Sequence, residues 1–431
     1  MEQPNNTGDG DAVLSPAFWL ALVLAGVAAG VAGISMMWVL HAVQRVAFGY
    51  DEGYFGDAVT HVSPERRLLV LGLGGLVVGP GWFLLRRYAH GHSDVDDAVW
   101  SGTGELGLVR SAGTGVLSEV AVGVGASLGR EAAPKVLAAA AASRLARHLG
   151  LTPAQRRLLV AAAAGAGFGA VYNVPLGGAL LVAEVMVGQI TLPVVLPALL
   201  CGGIATAVGW AYLPDVATYA GVPELAFSWP LLGFSVVAAV LLGLAAVMFV
   251  RLVGWVSHRQ LGGRYVLLGP AIAFVVLGLV AWRLPLVLGN GRDIVREAFI
   301  TPGSLAVGTL VALVLLKPLM TALCLGSGAA GGLFTPVLST GAAAGLLLGT
   351  AWQQLWPDTP LAALAVVGAT AFLAAGMQAP FAAVVLMTEL TRSLEGLTVP
   401  LVLTAAIATL VARYLDGYSI YSARLPYREL G

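Results

Sequence analysis

The chain has 431 residues, of which 58% are hydrophobic and 11% charged, and its mean hydropathy is +0.86. This composition is too apolar for a soluble protein of that length and predicts a polytopic membrane protein in contact with lipid. Lys plus Arg equals Asp plus Glu at 23 each, so no excess of basic charge favours a nucleic-acid partner. The two cysteines, Cys201 and Cys324, lie inside apolar segments and are predicted to be packing residues, not a disulfide or a metal site.

Residues 1–16 are polar and acidic and lack a positively charged start, so we expect a short solvated tail and not a cleaved signal peptide. The first two apolar runs, 17–39 and 68–85, are long enough to span a bilayer. Between them, residues 50–67 carry several acidic and basic side chains and are predicted to form a solvated connection.

A polar stretch at 89–97 leads into a short helix that ends near Trp100, and Ser93 is predicted to cap this helix. From residue 107 onward, the apolar segments are short and are interrupted by Gly and Pro. They cannot all be simple spans of about 20 residues, so the sequence indicates broken helices.

A polar connector at 215–227 separates a first half, 17–214, from a second half, 228–417. Only a short tail, 418–431, follows the second half. We therefore expect no soluble regulatory domain after it.

Residues 127–136, SLGREAAPKV, place three charges between two apolar runs. An ionisable group at membrane depth is costly unless it faces protein or water, so Glu131 is the first candidate for a functional residue. Gly129 allows close backbone approach and Pro134 is tolerated in a first helical turn, which predicts a helix start beside Glu131. Such an end attracts anions, and the carboxylate would compete with a diffusible anion for it. The alternative is a solvated loop at the membrane interface.

Two pairs of segments repeat between the halves. Residues 173–184, NVPLGGALLVAE, align without a gap on residues 378–389, QAPFAAVVLMTE. Residues 129–134, GREAAP, and 331–336, GGLFTP, share the pattern G-x-x-x-x-P at the start of an apolar helix. Two related halves with broken helices are typical of transport folds whose substrate site lies at the repeat interface near mid-membrane.

Together with GSGAAGGLFTP at 326–336 and YSA at 421–423, these motifs resemble, in kind and in order, the CLC family of chloride channels and chloride/proton antiporters. The resemblance extends from the first span to Tyr421. It implies an all-α membrane fold of two inverted repeats with broken, re-entrant helices. It also implies a homodimer in which each subunit has its own pore, with helix N-termini that converge on a central anion.

By this resemblance, Glu131 is the gating glutamate, whose carboxylate occupies an anion site when deprotonated and leaves it when protonated or displaced. The amides of Leu333 and Phe334 would donate to the central anion, and Tyr421 would offer its hydroxyl to the same ion. The alternative for Tyr421 is an aromatic anchor at the membrane interface. Arg130 would hold the loop.

Structural roles fall to the other residues of the repeated motifs. Glu184 and Glu389 are predicted to be buried helix residues that accept hydrogen bonds from backbone amides. The residues that shape the two helix starts are Gly129, Pro134, Gly332 and Pro336.

The chain departs from the family pattern at its first anion-binding element. The family usually has Gly-Ser-Gly-Ile-Pro there, whereas this chain reads AHGHS at 89–93. In one register the usual serine falls at His90, and after a local shift Ser93 would supply a hydroxyl instead. A neutral imidazole donates one hydrogen bond, and protonation adds a charge that favours anions. The alternative is that His90 and His92 are only interfacial.

Two further departures bear on the mechanism. Residues 132–133 stand before Pro134 where the family usually has one residue, so the helix start is expected to differ locally. The position after Glu184, which often holds a proton-relaying glutamate in family antiporters, is Val185. Valine carries no proton, so the resemblance favours channel-like or weakly proton-coupled flux.

The predicted function is movement of a small inorganic anion, with chloride as the substrate, across the plasma (inner) membrane of a bacterium. No cofactor and no enzymatic activity are expected. The alternative within this class is a proton-coupled chloride or fluoride antiporter.

An alternative of another class is an intramembrane serine protease, because the glycines around Ser327 resemble the setting of a nucleophilic serine. That activity needs a base, and no histidine follows His258 in the sequence. A purely structural membrane protein would not explain the matching broken segments.

Overall fold

The computed structural model describes residues 15–50, 54–392 and 395–425, so most of the predicted tail 1–16 and the end of the tail 418–431 lie outside the described residues. The described chain is all-helical. Its helices, in chain order, are α1 Pro16–Phe48, α2 Phe55–His61, α3 Pro64–Tyr88, α4 Val95–Trp100, α5 Leu108–Gly123, α6 Ala132–His148, α7 Pro153–Tyr172, α8 Pro175–Leu181, α9 Leu192–Gly209, α10 Trp229–His258, α11 Gly269–Ala281, α12 Arg292–Ile300, α13 Val307–Gly326, α14 Phe334–Trp352, α15 Leu361–Met377, α16 Pro380–Thr391 and α17 Thr398–Leu415.

Seven of the described helices are long and apolar enough to cross a membrane, namely α1, α3, α9, α10, α13, α14 and α17. Local sequence explains where several of them begin. Ser15, Ser63 and Ser228 each cap a helix through the side-chain oxygen, and a proline follows within the first two positions. This arrangement satisfies an amide that the helix itself cannot bond, while proline lacks the amide that would otherwise be left over.

The two halves repeat each other around the motifs found in the sequence. Helices α7 and α15 end at Asn173 and Gln378, which both adopt the left-handed conformation, with φ of 58° and 57°. Two residues later, Pro175 and Pro380 begin α8 and α16. A π-helical turn, Val182–Val187, continues α8, whereas α16 remains regular.

Each half caps a helix of the other. Glu184 accepts hydrogen bonds from the amides of Phe381 (3.2 Å) and Ala382 (2.6 Å) at the start of α16. Glu389 makes the reciprocal bonds with Leu176 (3.1 Å) and Gly177 (2.6 Å) at the start of α8. The predicted bonds to backbone amides are therefore present, although both glutamates are partly exposed and not buried.

The core relies on small residues that let helices approach closely. Helices α14 and α15 cross where Gly345 and Gly368 meet, and a Cβ on either glycine would overlap the backbone of the other helix. Nearly all of α15 is buried, although it is only 17 residues long. Close contact between small residues is a usual way for membrane helices to associate.

The apolar run 17–39 lies within a longer helix, α1, which extends to Phe48. The connection 50–67 contains a short helix, α2, and the start of α3. One local prediction is wrong. Ser93 does not cap α4, because Asp94 takes that position and accepts the amide of Asp97 at 3.0 Å.

Candidate functional site

The starts of α6 and α14 lie side by side in the middle of the fold. Gly129 and Gly332 form an antiparallel pair, joined by two backbone hydrogen bonds of 2.7 and 2.8 Å. Helix α6 begins at Ala132 and α14 at Phe334, each two residues before its proline, Pro134 or Pro336. Two helix N-termini with unpaired amides therefore face one small region, which is an arrangement that favours negative charge.

The carboxylate of Glu131 occupies this region. Glu131 is the residue before α6, yet its side chain does not cap that helix. Instead, the amide of Phe334, the first residue of α14, donates to Glu131 Oε1 at 2.7 Å. The hydroxyl of Tyr172 donates to Oε2 at 3.1 Å, and the residue is only 4% exposed. The solvated-loop alternative for Glu131 is therefore wrong.

Glycine is required on both sides of this carboxylate. A Cβ added at Gly129 or at Gly332 would overlap the Glu131 carboxyl group. The two glycines that begin the repeated motifs thus leave the space that the carboxylate fills, and their backbone pairing fixes the distance between the two helix starts.

The sequence analysis did not identify two residues of this site, Tyr172 and Thr335. Tyr172 donates to Glu131, and its oxygen lies 2.6 Å from Thr335 Oγ1. The Arg130 guanidinium lies 4.9 Å from the centre of the Tyr172 ring, which stabilises the loop by a cation–π contact. One signal was present, because Tyr172 immediately precedes the repeated segment at Asn173, and the equivalent position in the second half holds apolar Met377.

Three aromatic rings pack together beside Glu131. The Phe334 ring packs edge-on against Phe168, with centroids 5.0 Å apart, and lies 5.5 Å from the Tyr172 ring. All three side chains are buried. In such surroundings, hydrogen bonds to a charged group are stronger than in water.

A cavity of about 150 Å³ lies beside Glu131. Several residues predicted for the anion site line it, namely Ser93, Glu131, Gly332, Leu333 and Tyr421. Lys135 also lines it, pairs with Asp96 at 2.7 Å and lies 4.8 Å from the centre of the Tyr421 ring. The cavity therefore brings backbone amides, hydroxyls and a lysine together.

The structure distinguishes between the candidates at 89–93. Ser93 lines the cavity, and its Oγ accepts a hydrogen bond from Thr114 at 3.4 Å. His90 and His92 are exposed, and neither lines the cavity. Of these candidates, Ser93 is therefore the residue that faces the cavity.

The remaining predicted residues lie around this centre. Val185 is buried in the π-helical turn that follows Glu184. Ser327 is 5% exposed, and its hydroxyl donates to the carbonyl of Cys324 at 2.6 Å. That hydroxyl is thus bonded to its own helix end and not to a base.

Within residues 15–50, 54–392 and 395–425, no group of three or more His, Cys, Asp or Glu is placed to hold a metal ion.

Comparison with known proteins identifies the family. A family model described as voltage gated chloride channel matches residues 74–413. A ClcB-like protein of Ralstonia nicotianae is 34% identical over 420 residues, which cover 93% of this chain and 95% of that protein. The voltage-gated ClC-type chloride channel ClcB of Escherichia coli is 30% identical over 418 residues, which cover 93% of this chain and 97% of that protein.

Solved structures share the fold. A slow cyanobacterial Cl⁻/H⁺ antiporter has a TM-score of 0.81 at 23% identity, and a CLC-type fluoride/proton antiporter has a TM-score of 0.75 at 19% identity. In both cases the match covers 95% of this chain and 97% of the other. The repeated motifs, the paired helix starts and the sequence relatives agree, and the chain belongs to the voltage gated chloride channel (CLC) family.

Proposed function

We propose that this integral membrane protein moves a small anion, chloride in the first instance, through a pathway that Glu131 gates. One observation carries the proposal: the Glu131 carboxylate is held by the first amide of α14 and by the Tyr172 hydroxyl. A carboxylate and a halide ion accept the same hydrogen bonds from such donors. Glu131 thus stands where a transported anion would bind.

Protonation is the event that releases Glu131. A neutral carboxyl group loses the charge-assisted part of its hydrogen bonds and the attraction of the two helix ends. An anion that enters the cavity then binds the amides of Leu333 and Phe334. The hydroxyls of Tyr421 and Ser93 face it from the cavity wall and complete its hydrogen bonds.

Coupling to protons distinguishes two versions of this function. Val185 cannot carry a proton, which favours channel-like or weakly coupled flux, in line with the channel named among the relatives. The solved structures of the same fold are described as antiporters, which favours the alternative of proton-coupled chloride or fluoride exchange. A chain without an acid at position 185 would need another route for protons.

We propose a homodimer in the inner membrane of a bacterium, with lipid around the exposed apolar faces and one pathway in each subunit. Glu131 and the groups that hold it, Tyr172 and Phe334, belong to one chain, which supports a pathway in each subunit.

Flux from proteoliposomes tests the gate. Wild-type protein is expected to release chloride faster at acid pH, because protonation of Glu131 opens the site. Glu131→Gln keeps the shape without the charge and is expected to conduct independently of pH. Glu105→Gln, at a side chain that is 60% exposed, is the matched control and should behave as wild type. Unchanged pH dependence in Glu131→Gln would refute the gating role.

A reversal-potential measurement tests the coupling. Under symmetric chloride and a pH gradient, an uncoupled channel reverses near zero. A reversal potential that moves steadily with the pH gradient would establish the antiporter instead.

A further inference from the structure

A second, smaller cavity lies next to the gate and has no role in the gating proposal. Its volume is about 30 Å³, which is enough for one small ion or one water molecule. Its polar lining residues come from α1, from the residue before Glu131 and from the start of α12, namely His41, Gln44, Arg130, Asn290, Arg292 and Asp293.

The two cavities lie at different levels of the fold. No described residue lines both of them, although Arg130 lines the smaller cavity and its neighbour Glu131 lines the larger one. Helix α5 passes both cavities, with Ser118 at the larger one and Val122 at the smaller one. At 1.5 Å per residue, these two positions are about 6 Å apart along the helix axis. The segment that carries Glu131 therefore lies between the two cavities.

Two arginines in the smaller cavity have no carboxylate partner. The Nε atoms of Arg130 and Arg292 are both buried, and neither has a hydrogen-bond partner among the described residues. None of the ion pairs in the described part of the chain includes either guanidinium group. Two like charges that share a small, buried space are costly unless an opposite charge is present. A diffusible anion would supply that charge.

Other contacts hold the two guanidinium groups in place and leave their Nε atoms free. The Arg130 guanidinium lies 4.9 Å from the centre of the Tyr172 ring. Nη2 of Arg292 donates to the carbonyl of Thr218 at 3.2 Å, and its guanidinium carbon lies 5.3 Å from the centre of the Tyr54 ring. The Thr218 hydroxyl in turn donates to the carbonyl of Tyr172 at 2.8 Å. Residues 172 and 218 thus connect the two arginines.

The start of α12 also favours a negative ion in this cavity. The side chain of Asn290 accepts the amide of Arg292, the first residue of α12, at 3.0 Å, and the helix start adds a partial positive charge. Among the described lining residues, Asp293 alone carries a carboxyl group, which lies against α2, where a Cβ at Gly56 would be 2.8 Å from its Cγ. With His41 neutral, two guanidinium groups and one carboxylate leave one positive charge. A monovalent anion balances it.

We propose that the smaller cavity is an anion site of its own, which holds one halide-sized ion between Arg130 and Arg292. The Nε–H groups of both arginines donate to the ion, and the guanidinium charges attract it. This site is separate from the position that the Glu131 carboxylate occupies. When Glu131 leaves the starts of α6 and α14, the bound ion can move to them. The inference rests on the proposed anion pathway, but binding in the cavity does not require that Glu131 gates it.

Crystals of the wild-type protein soaked in sodium bromide test the site directly, because bromide scatters anomalously and has the charge of chloride. An anomalous peak is expected between Arg130 and Arg292, within hydrogen-bond distance of both Nε atoms. This measurement needs no variant. A peak beside Tyr421 only, or no peak in either cavity, overturns the inference.

Arg292→Gln tests whether flux depends on this site. The substitution removes the charge but keeps an amide that can donate to the Thr218 carbonyl. The chloride concentration for half-maximal flux is expected to rise about tenfold, as for the loss of one charge-assisted hydrogen bond. Arg296→Gln is the matched control, since Arg296 lies one turn further along α12, pairs with Asp57 and does not line the cavity. Equal half-maximal concentrations in the two variants would overturn the inference.

Arg292→Lys separates the positive charge from the support of the fold. It keeps the charge but has no forked guanidinium, so its half-maximal chloride concentration should lie between those of wild type and Arg292→Gln. If Arg292→Lys is as impaired as Arg292→Gln, the charge does not act on an anion and the inference is overturned.

The outcomes distinguish this inference from the gating proposal. A bromide peak between Arg130 and Arg292, together with wild-type flux that does not respond to pH, supports the site and refutes the gate. No peak between these arginines, while Glu131→Gln has lost its pH dependence, overturns the site alone.

Discussion

The carboxylate of Glu131 is held most closely by the Phe334 amide and the Tyr172 hydroxyl, which come from different helices, while Thr335 Oγ1 lies further away at 3.5 Å. Each donor therefore adjusts how readily the carboxylate is released. The Phe334 amide belongs to the backbone, so only a substitution to proline would remove it. The Tyr172 hydroxyl, in contrast, is a single group on a buried side chain.

Tyr172→Phe is expected to make the gate open at higher pH. The substitution removes one hydrogen bond to the ionised form of Glu131, worth about 1.5–3 kcal/mol. Since one pH unit corresponds to about 1.4 kcal/mol, the midpoint of chloride flux should rise by about one to two units. Flux measured over a series of pH values checks this.

Tyr219→Phe is the matched control for that experiment. Tyr219 is also fully buried, and its hydroxyl has no hydrogen-bond partner among the described residues. Its loss should leave the midpoint where it was. A Tyr172→Phe midpoint equal to that of Tyr219→Phe would mean that the Tyr172 hydroxyl does not hold the gate.

Gly332→Ala is expected to expel the Glu131 carboxylate, because the added Cβ would overlap it. The site is then open at all pH values or closed by the methyl group itself, and in either case the pH dependence of flux is lost. Gly203→Ala is the control, because its methyl group has no atom within 4 Å. This variant should retain the pH dependence of flux. Wild-type pH dependence in Gly332→Ala would place the working position of the carboxylate elsewhere.

At the scale of the helices, the reciprocal bonds of Glu184 and Glu389 tie the halves together. Each carboxylate accepts two amides from the helix start of the other half. Glutamine has one acceptor oxygen, and its NH₂ group would face an amide donor. One of the two bonds is therefore lost in each glutamine variant.

We expect Glu389→Gln to lower the stability of the protein by about 2 kcal/mol, the value of a hydrogen bond to a charged group. Glu184→Gln should have a similar effect, since its bonds are equivalent. Thermal unfolding in detergent measures both. The exposed Glu105–Arg156 pair gives the comparison, because Glu105→Gln should cost less than about 1 kcal/mol. Equal effects of Glu389→Gln and Glu105→Gln would contradict the capping role.

Sequence reasoning succeeded where a local pattern determines the structure. The helix start beside Glu131 and the amide bonds of Glu184 and Glu389 could be predicted, since proline and glycine have local conformational effects and the two halves repeat. The partner of Glu131 across the site, Tyr172, could not, because nothing local connects residues that are 41 positions apart. The position of Ser93 could not be predicted either, because it depends on packing against α5. The spacing of residues in the motif gives no information about that packing.

At the scale of the whole molecule, one chain supplies both the gate and groups that hold it. Glu131 is bonded by Tyr172 and Phe334 of its own chain. If two copies associate through their exposed apolar faces, the two pathways should therefore work independently.

A mixed dimer of wild-type and Glu131→Gln subunits tests this independence. The expected flux is the sum of two parts, about half with the wild-type pH dependence and half independent of pH. Single-dimer recordings would show two separate conductance levels that respond differently to pH. A single, intermediate pH dependence would show that the subunits share one gate.

The reciprocal capping also sets the order in which the protein can be completed during synthesis. The amides of Leu176 and Gly177 emerge with the first half, but their acceptor, Glu389, lies 213 and 212 residues further along the chain. At the usual rate of translation, the ribosome needs roughly 10 to 40 s to make that segment. During this interval, the amides at the start of α8 lack their carboxylate acceptor. They must be hydrogen-bonded by water or covered by an insertion factor. A first half made alone should therefore be degraded, and a second half supplied as a separate chain, divided within 215–227, should rescue it.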